Sequence, residues 1–208
     1  MPRIAEVREA AEPSSPRQKA RHQKILRVAA DLAAQNGLDH VQMAEVAKEA
    51  GVALGTLYRY FPSKIYLFTA VMADQVEWLD RNAPVPDADR DPEEAVHALL
   101  VNAGRRLLRR PALAAALMQS VNSAHAAQVP DAGRIDRTFR DLVLRTLRIE
   151  NPSAHDVTCV SLLVHCWYGL LISALNGRTA HPDAEDELWA ACRLLLAPCT
   201  SRAVGLAG

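Results

Sequence analysis

Between positions 42 and 64 the chain reads QMAEVAKEAGVALGTLYRYFPSK, a run rich in side chains that suit contact with phosphates and base edges. Thr56 brings a short hydroxyl. Tyr58 and Tyr60 bring phenol donors with ring area to lie on sugar, and Arg59 and Lys64 bring positive charge. Gln42 ends in an amide of the kind that pairs with adenine N6 and N7 in a major groove. Ala53 and Leu54 suit contact with thymine methyls, and Gly55 lets a backbone approach a partner closely. Five of the ten aromatic residues crowd into 58–68: Tyr58, Tyr60, Phe61, Tyr66 and Phe68. A plain helical hairpin inside a core is the alternative that this pattern leaves open.

Such side chains need a frame. Helical periodicity predicts short helices over 43–50 and 53–60 around a tight turn at Gly51, a helix-turn-helix. Gly51 can take a positive φ without a Cβ clash. Ala47 is small where the helices cross, and Val46, Ala50, Val52 and Leu57 are expected to point inward. Thr56, Tyr58, Arg59 and Tyr60 are then left on other faces. A helix this short is not stable alone and needs buttressing by neighbours. One neighbour is a helix over 16–36 with the stripe Ile25, Val28, Ala29, Leu32 and Ala33, ended by Gly37 as a left-handed cap. The other starts after Ser63, its N-cap, and continues through Leu67, Val71, Val76 and Leu79. Further helices are expected over 93–110, 112–127, 132–149, 154–176 and 183–197. No stretch shows strand alternation, so the fold class is all-α with about nine helices.

Composition narrows the classes. The 208 residues are 50% hydrophobic and 23% charged, with 24 basic and 24 acidic side chains. Neither wholesale disorder nor a uniformly basic coat fits. The neutrality hides an asymmetry. Residues 14–64 hold eight basic and four acidic side chains, net +4, and residues 65–208 hold fourteen and seventeen, net −3. All four lysines (19, 24, 48 and 64) lie in the first part. A local basic patch attracts phosphate even on a neutral chain. Arg17, Lys19 and Arg21, at the start of the first helix, can reach a flanking backbone. The expected division is a flexible tail over 1–15, a helix-turn-helix domain over 16–62, a helical domain over 63–200 and a flexible end over 201–208.

No apolar leader opens the chain, which suggests a cytoplasmic protein. Cys159, Cys166, Cys192 and Cys199 form no CxxC pair and read as small buried apolar residues rather than ligands for a metal. Val157–Leu175 carries no formal charge and is long enough to span a bilayer. Its Thr158, Ser161, His165 and Ser173 favour instead a helix buried on two sides, one of them against a second copy of the chain. No membrane and no cofactor are expected. No HExxH, P-loop, GxSxG or GxGxxG occurs, so no enzyme is indicated. An acyl- or lipid-binding helical protein without DNA binding, or a membrane-anchored one, stays as the alternative. The expected ligand-pocket lining is Trp78, Leu100, Leu113, Leu117, Met118, Val121, Phe139, Leu142 and Trp167, with Asn122, His125 and His165 as polar contacts. Core packing explains each of these equally well. Arg105 and Arg106, in a basic helix end, suit either the helix dipole or an anionic head group.

The run Ala50-Gly51-Val52, then Gly55-Thr56-Leu57-Tyr58-Arg59-Tyr60-Phe61, then Ser63-Lys64, resembles the DNA-binding domain of the TetR family of transcriptional regulators. Gly37 and Val46-Ala47 fit the same pattern, which spans about residues 20–70. Val41-Gln42-Met43 with GTLYRYFPSK resembles the sterol-catabolism repressors of that family. The resemblance implies a homodimeric repressor with an N-terminal reader of double-stranded DNA and a C-terminal domain for a small molecule. It places the second short helix in the major groove. Gln42, Leu54, Gly55, Thr56, Tyr58, Arg59 and Tyr60 are then near DNA, Lys64 holds a phosphate at a helix start, and Arg17 and Lys19 flank the site. It also makes the helices over 154–176 and 183–197 the dimer interface, and it suggests a bulky apolar effector such as an acyl or sterol thioester. Two departures stand out. Many relatives carry Thr at position 42 and Ser at position 53, where this chain has Gln42 and Ala53, so sequence is expected to be read partly by shape.

Overall fold

The computed structural model describes residues 10–85, 89–126 and 129–205, without the side chains of 125, 126, 130 and 200–205. Nine α-helices are found among them: α1 (Pro16–Asn36), α2 (Met43–Ala50), α3 (Leu54–Tyr60), α4 (Lys64–Asn82), α5 (Pro92–Leu108), α6 (Pro111–Ala126), α7 (Pro130–Thr146), α8 (Ala154–Leu175) and α9 (His181–Gly205). No strand occurs among the described residues. Two compact units result, and they do not follow chain order. The first holds residues up to Gln75 together with Arg110–Gly133, and the second holds Val76–Arg109 and Arg134–Gly208. α6 thus folds with the N-terminal helices, and α4 contributes to both units.

In the first unit, local signals fix the helix ends. Ser15 caps α1, its Oγ accepting from the Gln18 N–H at 3.2 Å, and the Gln18 side chain returns to the Ser15 N–H. This capping box satisfies two donors that a helix start otherwise leaves open. Pro16 fills the first helical position, where a missing N–H costs nothing. Ser63 caps α4, its Oγ accepting from the Tyr66 N–H. Gly37 has φ +76° but ψ 165°, so it is not the left-handed cap the sequence suggests. It adopts an extended conformation at positive φ that is almost reserved to glycine. Ile25, Ala29 and Ala33 of α1 are fully buried, together with Val41, Val46, Leu57, Leu67 and Phe68. α6 packs along α1, and Arg110 reaches Asp31 at 2.7 Å. The segment before α1 is not free: the Ala11 N–H donates to the Arg59 carbonyl at 2.9 Å. Part of the expected tail is thus hydrogen-bonded to α3, and residues 1–9 lie outside the described residues.

In the second unit, α8 and α9 pack against each other and α5 packs on both. Asp91 caps α5 and Pro92 opens it. Ser153 and Asp156 form a capping box on α8. α8 is long and apolar enough to cross a bilayer by length and composition. Here it buries one stripe, Cys159, Val160, Leu163, Trp167 and Leu171. α9 continues through Pro198 to Gly205 instead of stopping at 197. The flexible end expected over 201–208 is therefore helical as far as Gly205, and 206–208 lie outside the described residues.

Candidate nucleic-acid interface

The turn between α2 and α3 has the conformation that its glycine implies. Gly51 sits at φ 68°, ψ 40°, and its N–H returns to the carbonyls of Ala47 and Lys48. A side chain there would be strained, and its Cβ would stand 3.4 Å from the Lys24 Nζ. Val46, Ala47 and Ala50 from α2 and Leu57 from α3 are buried and hold the crossing. Val52, expected inside, is half-buried.

What remains on the outside is a short, mostly uncharged face. Gln42, Ala53, Leu54, Gly55, Tyr58 and Arg59 are exposed, and Thr56 is half-buried. Leu54 is 43% and Tyr58 45% exposed, a large apolar area for a surface helix. Gln42 occupies the N-cap of α2 without a side-chain capping bond, so its amide is available for other partners. Arg17 and Lys19 are exposed in the first turn of α1.

Two expected contacts sit differently. Tyr60 is 2% exposed, so it does not present its ring to a partner. It lies edge-on to His22, with ring centroids 5.7 Å apart, beside Phe61. Its ring area serves the core because the last residue of so short a helix turns back onto α1. Arg59 stays over it, with Nη2 3.4 Å from the phenol oxygen and the guanidinium 5.2 Å from the ring centre. Lys64 opens α4 as expected, but its Nζ donates to the carbonyls of Leu38 at 3.0 Å and Asp39 at 3.5 Å. It ties α4 to the turn after α1. No periodicity reveals that tie, because the acceptors are backbone carbonyls of a loop.

The expected ligand contacts do not gather in one unit. Leu113, Leu117, Met118, Val121 and Asn122 belong to the first unit, while Trp78, Leu100, Phe139, Leu142, His165 and Trp167 belong to the second. Asn122 and His165 are exposed rather than buried, because each falls on the outer side of its helix. The side chain of His125 lies outside the described residues. Phe139 and Trp167 stack at 4.9 Å, and the Trp167 indole donates to the Leu100 carbonyl at 3.0 Å. The two arginines expected near a ligand's polar end are engaged. Arg105 forms a two-pronged pair with Glu185, and the Arg106 guanidinium lies 3.6 Å from the centre of the Trp78 ring. A small recess of about 40 Å³ does exist in the second unit, between α5, α8 and α9. Of the expected lining, it includes Leu100 and Trp167.

A helix-turn-helix with an exposed face, carried by one of two helical units, is the arrangement expected of a DNA-binding regulator. Residues 25–71 match the domain described as bacterial regulatory proteins, tetR family, and residues 89–195 match a tetracyclin repressor-like C-terminal domain. The chain is 31% identical over 183 residues to the HTH-type transcriptional repressor KstR of Rhodococcus jostii, covering 88% of this chain and 86% of that protein. It is also similar to a crystal structure of a TetR transcriptional regulator from Rhodococcus sp. RHA1. There the TM-score is 0.82 and the identity 50%, over 86% of this chain and 97% of that one. Thermus thermophilus FadR, solved in complex with lauroyl-CoA, shares the fold with TM-score 0.63 at 22% identity, over 84% of this chain and 93% of that one. The chain belongs to the TetR family of transcriptional regulators, with KstR-like repressors among its relatives.

Proposed function

We propose that the protein is a cytosolic homodimeric repressor that places α3 in the major groove of a near-palindromic operator. The observation that carries this reading is the exposed Leu54–Tyr58 face of α3, set over a glycine turn whose far side is buried. A groove about 12 Å wide admits a helix. Thr56, Leu54 and Gln42 then meet base edges. Tyr58, Arg59, Arg17 and Lys19 meet phosphates, with Gly55 allowing close approach. Lys64 has three N–H groups, and its remaining capacity beyond Leu38 and Asp39 is directed at a phosphate. Two such readers, one per subunit, need half-sites about one helical turn apart, roughly 34 Å.

Release from the operator requires an effector that prefers the DNA-incompetent shape. The proposed effector is a bulky apolar molecule, with acyl or sterol thioesters as the leading class. The relationship to KstR-like repressors and the apolar helices of the second unit support it. α4 has residues in both compact units and is one of the covalent links through which it would act. The test is fluorescence anisotropy on operator duplexes over a salt series. Affinity should fall steeply with salt, because each phosphate neutralised by a cation releases counterions. Tyr58→Phe and Lys64→Ala should weaken all duplexes alike, whereas Thr56→Ala or Gln42→Ala should alter sequence preference. Indifference to both Tyr58→Phe and Lys64→Ala would defeat the docking geometry.

A further inference from the structure

Residues 10–15 precede α1, yet they are held at both ends. At the inner end the Gln18 side chain gathers them: its Oε1 accepts from the Ser14 N–H at 2.8 Å and from the Ser14 hydroxyl at 3.0 Å. At the outer end the Ala11 N–H donates to the Arg59 carbonyl at 2.9 Å. Two prolines stiffen the stretch. Pro13 and Pro16 push the residues before them toward extended backbone, and Ser15 has φ −103° and ψ 157° accordingly. Burial alternates as it does along an extended chain laid on a surface. Ala11, Pro13 and Ser15 are half-buried, while Ala10, Glu12 and Ser14 are exposed.

The acceptor at the outer end gives the contact a use. The last carbonyls of a helix have no partner within it. α3 has only seven residues, so one tied carbonyl steadies much of its C-terminal end. That carbonyl belongs to Arg59, whose side chain is tied as well. The guanidinium lies 5.2 Å from the centre of the Tyr60 ring, and Tyr60 packs edge-on to His22 of α1. Arg59 is therefore fixed through its main chain by Ala11 and through its side chain by Tyr60. Ordering a long side chain opposes binding, and a pose set beforehand lowers that cost.

Charge does not explain the segment. Its one formal charge is Glu12, an exposed carboxylate next to Ala11, and a carboxylate repels phosphate. The Ser14 hydroxyl is committed to Gln18, and the Ser15 hydroxyl caps α1. The segment acts through the helix that it holds. We propose that residues 10–15 are a strap across the C-terminal end of α3, and that the Ala11 N–H is a positioning group that presets Arg59 for a phosphate. The second half of this proposal rests on α3 as the DNA reader, and the strap itself does not.

Ala11→Pro deletes one N–H and keeps the chain. The probe is a duplex that the wild-type protein enriches from a randomised pool, and binding is read by fluorescence anisotropy. Ala11→Pro should weaken binding about fivefold per subunit, the worth of one backbone hydrogen bond. The slope of log affinity against log salt should become shallower by about one per subunit, as when a phosphate contact is lost. Ala11→Ser keeps the N–H and should bind within about twofold of wild type. In an Arg59→Ala background, Ala11→Pro should change affinity by less than about twofold, because nothing is left to position. A full loss in both backgrounds, or a loss with the salt slope unchanged, would overturn the positioning role. So would wild-type affinity in Ala11→Pro. A second measurement needs neither DNA nor a variant, and it decides the matter should Ala11→Pro fail to fold. In the wild-type protein the Ala11 amide should exchange with deuterium at least about tenfold more slowly than those of Ala10 and Glu12, followed by NMR. Equal exchange at the three would remove the strap. A protected Ala11 amide in a protein that binds no duplex would keep the strap and defeat the reader, so the two readings fail separately.

Discussion

At the scale of single residues, chemistry and position diverge in instructive ways. Tyr58 and Tyr60 look equivalent in the sequence, two phenols flanking one arginine. One is 45% exposed and the other 2%, because two positions along a helix turn a side chain by about 200°, onto the opposite side. Lys64 shows the same divergence. Its Nζ bonds to loop carbonyls are charge-assisted, and such bonds are typically worth about 1.5–3 kcal/mol net. Lys64→Ala should therefore lower unfolding free energy in urea by about 1 kcal/mol or more, as well as weaken operator binding. Affinity lost with stability untouched would mean that the lysine serves DNA alone. The cysteines give a second prediction. Burial, followed by the charge of Glu93, pushes the Cys192 thiol up to about 12, and burial with Asp156 and Cys159 does the same for Cys199. Against an ordinary value of 9 the thiolate population falls about a thousandfold, and the thiolate is the reactive form. An aromatic disulfide reagent at pH 8 should label exposed Cys166 first, with the other three reacting only as the protein unfolds. The sign in alkali follows from linkage. A folded-state pKa above the unfolded one stabilises fully below pH 9, and that stability is lost between pH 9 and about 12. Cys192→Ala should flatten part of that fall in urea-unfolding free energy, and an unchanged slope would contradict it.

At the scale of elements, most helix starts were legible and several ends were not. α1 begins at Pro16 and α2 spans 43–50 as periodicity, proline and glycine indicate, since those signals act within a few residues. α9 outruns its expected end even though an interior proline loses a hydrogen bond and crowds a preceding carbonyl, a cost of about 3 kcal/mol that neighbouring packing can offset. The exposed positions of Asn122 and His165 were not legible, because an all-round apolar helix does not announce which side it buries. The α5–α8–α9 recess was hidden for a related reason: it depends on how three distant segments leave a gap. The capping box of α8 supplies a direct test. Ser153→Ala removes an acceptor for the Asp156 N–H and one of the donors to its carboxylate. It should cost about 1 kcal/mol of unfolding free energy, the usual toll for a lost N-cap. Gly51→Ala should cost about 1–2 kcal/mol through its left-handed backbone, and it should lower operator affinity as well.

At the scale of the whole molecule, the unanswered demand is apolar surface. Leu194 is 79% and Leu162 50% exposed, on the same α8–α9 pair that packs together in the second unit. Cys166 and Gly169 of α8 and Ala190 and Ala197 of α9 are exposed too, beside the charged Glu187 and Arg193. Exposed apolar area marks an interface when a contiguous patch of it exceeds a few hundred Å². Symmetric pairing of two copies buries the same patch twice, which is the commonest solution for a homo-oligomer. The choice of mutation decides whether dimerisation is tested or folding is. Leu171 is only 6% exposed and lines the second unit's own interior, so a charge there would unfold the chain. Leu194→Glu leaves the interior untouched. It should convert a dimer at micromolar concentration into a monomer, read by sedimentation velocity, with helical circular dichroism unchanged. Operator affinity should collapse with it, because a monomer can engage only one half-site, although no residue of the α2–α3 face has been altered. A Leu194→Glu protein that still sediments as a dimer would remove the α8–α9 face from the interface.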